Sequence, residues 1–417
     1  MRDVVIAGAV RTPIGAFGGA LSSLTPAELG TAAAAEALRR AGVPPAQVDE
    51  AVFGCARQAG AGPNVARQIA FRAAVPPEIP AYTVNMACAS GLKSLGLAYQ
   101  SVRDGEAEVV LAGGVESMSR VPFLLPGARW GYRMGHQELV DGMYRDGFLC
   151  PLAEQVMGET AETLARQYRI SRDEQDAFAL RSQERAARAA AEGRFEAETF
   201  PVKVPGNEAR SRTRSNVPLP RRGEGWGGGS MNDEQILLTR DEHPRETTLA
   251  ALARLPPVFQ PEGGTVTAGN SSGITDGAAA LVVLSQERAR ALGVKPMARI
   301  LGVAAAGVDP RVMGLGVVPA VRRLQERLSL FLDQFELVEV NEAFAAQVLA
   351  CDRELHIDPA RLNVNGGAIA LGHPIGATGA RIAVTLLHEM VRRRVRLGLA
   401  TLCVSGGQGF AAAFEAL

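Results

Sequence analysis

The stretch Asn85-Met86-Ala87-Cys88-Ala89-Ser90-Gly91 joins a β-rich run, Tyr82 to Asn85, to a helical pattern from about Gly91 to Arg103 that Gly105 closes. The chain then returns through the strand pattern Glu108 to Ala112 into Gly113-Gly114. The second half repeats this plan. Gly372-His373-Pro374-Ile375-Gly376 opens a helix from Ala377 to Arg394, which returns through Thr401 to Val404 to Gly406-Gly407. A glycine turn, a helix, a strand and paired glycines, met twice, predict a duplicated unit.

Working outward, Val4 to Ala7 reads as a first strand, and Thr25-Pro26-Ala27-Glu28 announces a helix. Thr25 can cap, Pro26 suits the first helical position, and Glu28 can reach back in a capping box. That helix should run to Arg40 and stop at Gly42. A strand near Ala51 to Gly54 and a helix near Asn64 to Ala74 follow. Strands alternating with helices predict an α/β protein with a largely parallel inner sheet.

From Val121 to Leu249 strand signals thin out and charged helical sequence takes over, notably Met157 to Tyr168 and Ser171 to Gly193. This predicts an inserted, mostly helical loop domain, with Pro205 to Asn232, rich in Gly, Pro, Ser and Arg, as an exposed mobile loop. Alternation resumes with strands Ala278 to Leu284, Ala298 to Ala305, Leu337 to Val340, Ala400 to Val404 and Phe410 to Phe414, and a helix Pro319 to Leu328. The expected division is 1–120 and 250–285 for the first core domain, 121–249 for the loop domain and 286–417 for the second core domain.

The 417 residues carry 44 Lys+Arg against 44 Asp+Glu, and this balance argues against a generic nucleic-acid binder, which needs a dense basic surface. No stretch approaches the ~20 apolar residues that span a bilayer, and the N-terminus has no signal-peptide pattern. A cytoplasmic protein with no membrane partner is the expectation. Five cysteines, an odd number, exclude a fully paired disulfide framework, and the lack of a CxxC pair argues against structural zinc. Gly113-Gly114 and Gly406-Gly407 fit no dinucleotide fingerprint, and no phosphate loop is present.

Cys88 falls at or just before a helix N-terminus, where unpaired N–H groups and the positive end of the dipole favour a thiolate. A buried inert thiol is the competing reading. His373, alone among glycines and alanines, suits a base or an oxyanion donor, against a satisfied loop histidine. His136, His243, His356 and His388 lie in charged or helical surroundings and read as surface groups. Cys403 ends a strand before Ser405-Gly406-Gly407-Gln408-Gly409, a turn whose N–H groups can hold an anion. Asn341 and Glu342 follow a strand end, where open α/β sheets often build sites, or else cap the next helix. Cys55, Cys150 and Cys351 read as packing residues.

Five stretches in this order resemble the thiolase family: Asn85 to Gly91; Gly113-Gly114-Val115-Glu116-Ser117-Met118-Ser119; Asn341-Glu342-Ala343-Phe344-Ala345; Gly366-Gly367-Ala368-Ile369-Ala370-Leu371-Gly372-His373-Pro374-Ile375-Gly376-Ala377-Thr378-Gly379; and Cys403 with its glycines. The resemblance implies two core domains of one βαβαβαββ topology, layered α-β-α-β-α, with a loop domain between them. It also implies acetyl-CoA C-acetyltransferase activity, or a longer-chain 3-ketoacyl-CoA thiolase of β-oxidation or of the 3-oxoadipyl-CoA type. A decarboxylating ketoacyl synthase and a non-catalytic lipid carrier are less favoured, because Cys88, Asn341, His373 and Cys403 are all present.

By resemblance, Cys88 is the nucleophile, Cys403 the acid/base, and His373 the activator of Cys88 and holder of the thioester oxygen. Asn341 would fix a water, and the N–H groups of Cys88 and Ser405 would make a second oxyanion hole. Met157, Ser272 and Phe344 would line the pantetheine tunnel, with Arg221 and Arg222 on the phosphates of coenzyme A. Acetyl-CoA and coenzyme A are substrates, so no cofactor or metal is implied; a homotetramer or dimer is. The chain departs from the family pattern in three places. Val156 stands where biosynthetic members usually carry His before Met-Gly, Ser405 replaces a glycine, and the 205–232 loop is longer than expected.

Overall fold

The computed structural model of the chain describes residues 2–205 and 235–417. The main elements of the first half are β1 (Val4–Arg11), α1 (Pro26–Ala41), β2 (Glu50–Gly54), α2 (Val65–Arg72), β3 (Ala81–Val84), α3 (Ser90–Asp104) and β4 (Val109–Ser117). The insertion carries α4 (Met157–Gln167) and α5 (Arg172–Ala191), and β5 (Thr275–Ser285) returns to the core. The second half comprises β6 (Ala298–Gly307), α6 (Val317–Leu328), β7 (Leu337–Val340), α7 (Ala345–Leu355), α8 (Ile375–Arg393), β8 (Leu397–Val404) and β9 (Gln408–Ala416).

Local signals decide the helix ends. Thr25 and Glu28 form the reciprocal capping box of α1, Pro26 takes its first position, and Gly42 ends it at φ 68°. Ser171 and Glu174 do the same for α5.

The duplication is explicit in the strand order. The first half runs β3-β2-β4-β5-β1 across the sheet, and the second runs β7-β8-β9-β6, with a single parallel bridge from Val338 to Leu362 standing where β3 has its counterpart. Each half thus follows the same βαβαβαββ path, the third strand of the second half being reduced to that bridge. The halves join edge to edge through two residue pairs, Val5 with Arg299 and Ile6 with Ala298.

The expectation of a largely parallel sheet is corrected. Parallel ladders are limited to β2 with β3 and β4, and β7 with β8, besides the isolated bridges of Val338 with Leu362 and Arg11 with Thr199. All central pairings, β4-β5, β5-β1, β1-β6, β6-β9 and β9-β8, are antiparallel. Alternation of strands with helices suggested parallel strands, but a helical crossover makes strands parallel only where the two it joins lie side by side, and each half also sets its first and last strands against each other antiparallel.

β4 is covered on both faces. All nine of its residues are buried. Val109, Leu111 and Val115 pack with α1 and α2, whereas Val110 and Ala112 pack with α3 and α8. A third cluster joins α6 and α7 to the outer face of the second half. The result is five layers, α1/α2, sheet, α3/α8, sheet, α6/α7, as the resemblance implies.

The two central helices approach too closely for side chains at several points. A Cβ on Gly91 of α3 would lie 2.7 Å from the backbone nitrogen of Ala380, and one on Gly379 of α8 would lie 2.3 Å from that of Leu92. Glycine is required at these positions because backbone occupies the place a Cβ would take.

Besides α4 and α5, the insertion carries three short antiparallel ladders, Phe123–Leu124 with Val140–Asp141, Leu149–Cys150 with Gln155–Val156, and Val202–Pro205 with Gln235–Leu238. Most of the Gly/Arg-rich stretch read as a mobile loop lies outside the described residues, Arg221 and Arg222 with it. Among the described residues no helix is long and apolar enough to cross a membrane.

Candidate active site

Cys88 sits in a one-turn helix, Ala87–Ala89, that runs into α3. The residue before it, Ala87, is held at φ 43°, an uncommon conformation for a side-chain-bearing residue and one that marks strain at a site. Ser90 stabilises the turn, its hydroxyl accepting from the N–H of Met86 at 2.9 Å and donating to the carbonyl of Ala87 at 2.7 Å.

A cavity of about 430 Å³ opens over this turn. It is lined by Cys88 from the first half, by His373, Cys403 and Ser405 from the second, and by Met157, Ser272 and Phe344. These seven residues, far apart in sequence, therefore share one cavity. The backbone bridge from Ser271 to Phe344 and the hydrogen bond from the N–H of Ser272 to the carbonyl of Ala343 at 3.0 Å hold two of them side by side. Phe259 stacks edge-on against Phe344, with ring centroids 6.0 Å apart.

The electrostatics depart from the sequence reading at Cys88. Burial raises its thiol above the ordinary cysteine value, and this outweighs the nearby Arg57 charge and the N–H groups of Ser405 and of Cys88 itself, which act to lower it. Desolvation beats the helix terminus, so the resting group is a thiol. Burial pushes Cys403 well above the ordinary value too, with the neighbouring Cys88 adding to the effect.

His373 is buried and its Nδ1 lies 2.6 Å from the Thr378 hydroxyl, which donates its only proton to the carbonyl of Pro374 at 2.9 Å. The hydroxyl can therefore only accept from the ring, which places the imidazole proton on Nδ1 and leaves the Nε2 lone pair free. Nε2 has no hydrogen-bond partner. Burial, with Arg381 and Arg57 nearby, lowers the His373 pKa to about 3, so the ring is neutral. A thiol that shares a cavity with an unpaired neutral imidazole can pass its proton to Nε2 when an electrophile arrives.

Asn341 does not cap α7, whose first position follows Phe344 with no side-chain cap. It is buried and is not among the residues that line the cavity, and both its amide oxygen and its amide nitrogen lack partners, a cost that a bound water or ligand would relieve. Glu342 is tied inward instead, accepting from Ser182, Asn363 and the N–H of Ile369. It supports the loop that leads to His373.

Two histidine readings are corrected. His243 is half-buried in the cavity wall, with Nδ1 bonded to the carbonyl of Ala370 at 2.8 Å, and His388 is half-buried with Nε2 at 2.9 Å from the carbonyl of Ala9. Packing from distant segments covers them, which local charge could not foretell. Sequence reasoning also missed Arg57, Arg245 and Phe259 in the cavity wall; none lies in a stretch with a recognisable pattern. Cys55, Cys150 and Cys351 are buried and free, and among the described residues no cluster of three His, Cys, Asp or Glu could hold a metal ion.

Comparison with known proteins gives this geometry its setting. Residues 4–287 match the family model of the thiolase N-terminal domain, and residues 294–416 that of the thiolase C-terminal domain. An acetyl-CoA acetyltransferase of Syntrophomonas wolfei is 47% identical over 420 residues, covering 100% of both chains. The crystal structure of the Bacillus anthracis acetyl-CoA acetyltransferase superposes with a TM-score of 0.91 at 43% identity, over 100% of this chain and 99% of the other. That of human mitochondrial 3-ketoacyl-CoA thiolase gives 0.91 at 38% identity, with the same coverage. With both halves matched and the whole length aligned at such identity, the chain belongs to the thiolase family of acyltransferases.

Proposed function

We propose that the protein is an acetyl-CoA C-acetyltransferase that cleaves 3-ketoacyl-CoA with coenzyme A, and in reverse condenses two acetyl-CoA to acetoacetyl-CoA. The observation that carries this reading is the meeting of Cys88, His373 and Cys403 in one cavity, with a neutral, unpaired Nε2 on the histidine. In the cleavage direction the Cys88 sulfur attacks the 3-keto carbon while its proton passes to His373 Nε2. The bond between carbons 2 and 3 breaks, its electron pair goes to the leaving acetyl-CoA enolate, and Cys403 supplies the proton that makes the methyl group. Coenzyme A then gives its thiol proton to Cys403, attacks the acyl-Cys88 carbonyl and restores the Cys88 thiol with the proton held by His373.

Charge develops on oxygen twice. Asn341, through a water held by its unpartnered amide, and His373 serve the thioester enolate, and the N–H groups of Cys88 and Ser405 serve the tetrahedral intermediate at Cys88. Removing one such donor costs about 10²–10³ in rate in known enzymes. Met157, Ser272 and Phe344 bind the pantetheine arm. The chemistry needs coenzyme A thioesters as substrates and no resident cofactor or metal. We place the protein in the cytoplasm as a homo-oligomer, a tetramer or dimer, a reading supported by the exposed apolar side chains Phe123, Trp130 and Met134.

The test is brief exposure to acetyl-CoA followed by peptide mass spectrometry. An acetyl group on the Cys88 peptide is expected; an unmodified peptide would overturn the reading.

A further inference from the structure

The stretch Gly113 to Ser119 holds a side chain to which the reaction gives no part. Glu116 lies in β4 and, by the alternation of a strand, continues the face of Val110 and Ala112 that packs with α3 and α8. It is fully buried and does not line the cavity. Its two oxygens nevertheless take four donors. Oε2 accepts from the N–H groups of Ala56 at 3.1 Å and Gly376 at 2.8 Å, and Oε1 from the N–H of Arg57 at 3.0 Å and the thiol of Cys55 at 3.6 Å. The Arg57 guanidinium supplies the opposite charge nearby.

These donors belong to two separate turns. Gly376 stands in the first turn of α8, three residues after His373. The helix starts after Pro374, which offers no side-chain cap, so the N–H of Gly376 has no partner in its own helix. Glu116 caps it from the other half of the chain, and a negative charge suits a helix N-terminus. Ala56 and Arg57 follow β2 and border the nucleophile: Ala56 packs in one cluster with Ile375 and Cys88, and Arg57 lines the cavity. The two turns meet closely, since a Cβ on Gly376 would lie 2.8 Å from the backbone nitrogen of Ala56 and 2.9 Å from the Cα of Cys55. One side chain therefore fastens the turn of His373, from the second half, to the Cys88 wall of the first.

We propose that Glu116 is a positioning residue for the acylation of Cys88: by gripping Gly376 and the Ala56–Arg57 backbone together, it sets the place of His373 Nε2 relative to the Cys88 sulfur. The proposal rests on the thiolase reading of the site. Proton transfer from thiol to imidazole depends steeply on that placement, whereas binding of the pantetheine arm by Met157, Ser272 and Phe344 does not pass through Glu116.

The experiment mixes wild type, Glu116→Asp and Glu116→Gln with acetyl-CoA over a series of concentrations and follows acetylation of Cys88 by quenching and mass spectrometry. Each protein gives a maximal rate constant, a half-saturating concentration and the fraction of molecules that react. Asp keeps the charge but withdraws the carboxylate by about 1.5 Å, one C–C bond, so it cannot hold both turns. Its maximal rate constant should fall by about 100-fold, the cost of a misplacement of about 1 Å, with the half-saturating concentration unchanged. Gln loses the charge but keeps the reach and one of the two oxygens, and should fall between Asp and wild type. A merely structural role lowers the reacting fraction and leaves the rate constant at the wild-type value, and that result overturns the proposal. So does a change confined to the half-saturating concentration, or a Gln variant slower than the Asp variant. Should Glu116→Asp not fold, Glu116→Gln carries the test, and a wild-type rate constant in it overturns the proposal. Absence of any acetyl group on Cys88 of wild type would instead overturn the thiolase reading.

Discussion

Replacing Thr378 with valine tests whether a hydroxyl sets the state of His373. The swap is nearly isosteric but removes the oxygen that accepts from Nδ1 at 2.6 Å and donates to the carbonyl of Pro374 at 2.9 Å. The buried Nδ1–H is then left unsatisfied, or the proton moves to Nε2 and the ring can no longer accept from Cys88. An unsatisfied buried donor costs about 1–3 kcal/mol, and at about 1.4 kcal/mol per tenfold this corresponds to a roughly 5- to 150-fold slower acylation. Single-turnover acetylation of Cys88, quenched and followed by mass spectrometry, measures that rate directly. Thr378→Ser keeps the hydroxyl and should stay near wild type. Because burial lowers His373 to about 3, protonation of this ring should cause no loss of acylation near the ordinary histidine pKa of about 6.5. Wild-type speed in Thr378→Val, or equal slowing in the serine and valine variants, would refute the tautomer argument.

Cys403→Ala should still acquire an acetyl group on Cys88 but lose exchange of the acetyl methyl protons with deuterated water, which NMR follows; retained exchange removes Cys403 from its role. Alkylation of Cys88 by iodoacetamide should be slow near neutrality and rise only above the ordinary thiol range, since burial raises the folded pKa and keeps the thiol protonated; full reactivity at pH 6 would contradict this. Gly376→Ala puts a Cβ 2.6 Å from the carbonyl of Val115 and 2.8 Å from the N–H nitrogen of Ala56, and should destabilise the protein by about 1–3 kcal/mol in urea unfolding, as overpacking does. Glu389 is pulled down to about 2, burial being outweighed by Arg392, Arg393 and Asn365, so its contribution is present above its unfolded pKa of about 4.5 and fades as pH falls towards 2. The gap in melting temperature between wild type and Glu389→Gln should therefore narrow from pH 6 to pH 3.5; a constant gap would refute the pairing.

The sequence by itself determined the elements and the repeat. Thr25, Glu28 and Gly42 act within a few residues of where they sit, and so they marked α1 before any packing was known. The glycine-turn motifs likewise placed Cys88, His373 and Cys403 at element ends, because such turns restrict what the backbone can do locally. Only the tertiary structure decided the rest. Strand direction in the central sheet followed from chain connectivity, to which a strand covered on both faces gives no clue. The sign of the Cys88 shift turned on burial by segments from both halves, which outweighed the local helix terminus. Arg57 and His243 became cavity residues through segments distant in the chain, since the surroundings of a side chain are a property of the folded surface and not of its sequence neighbours.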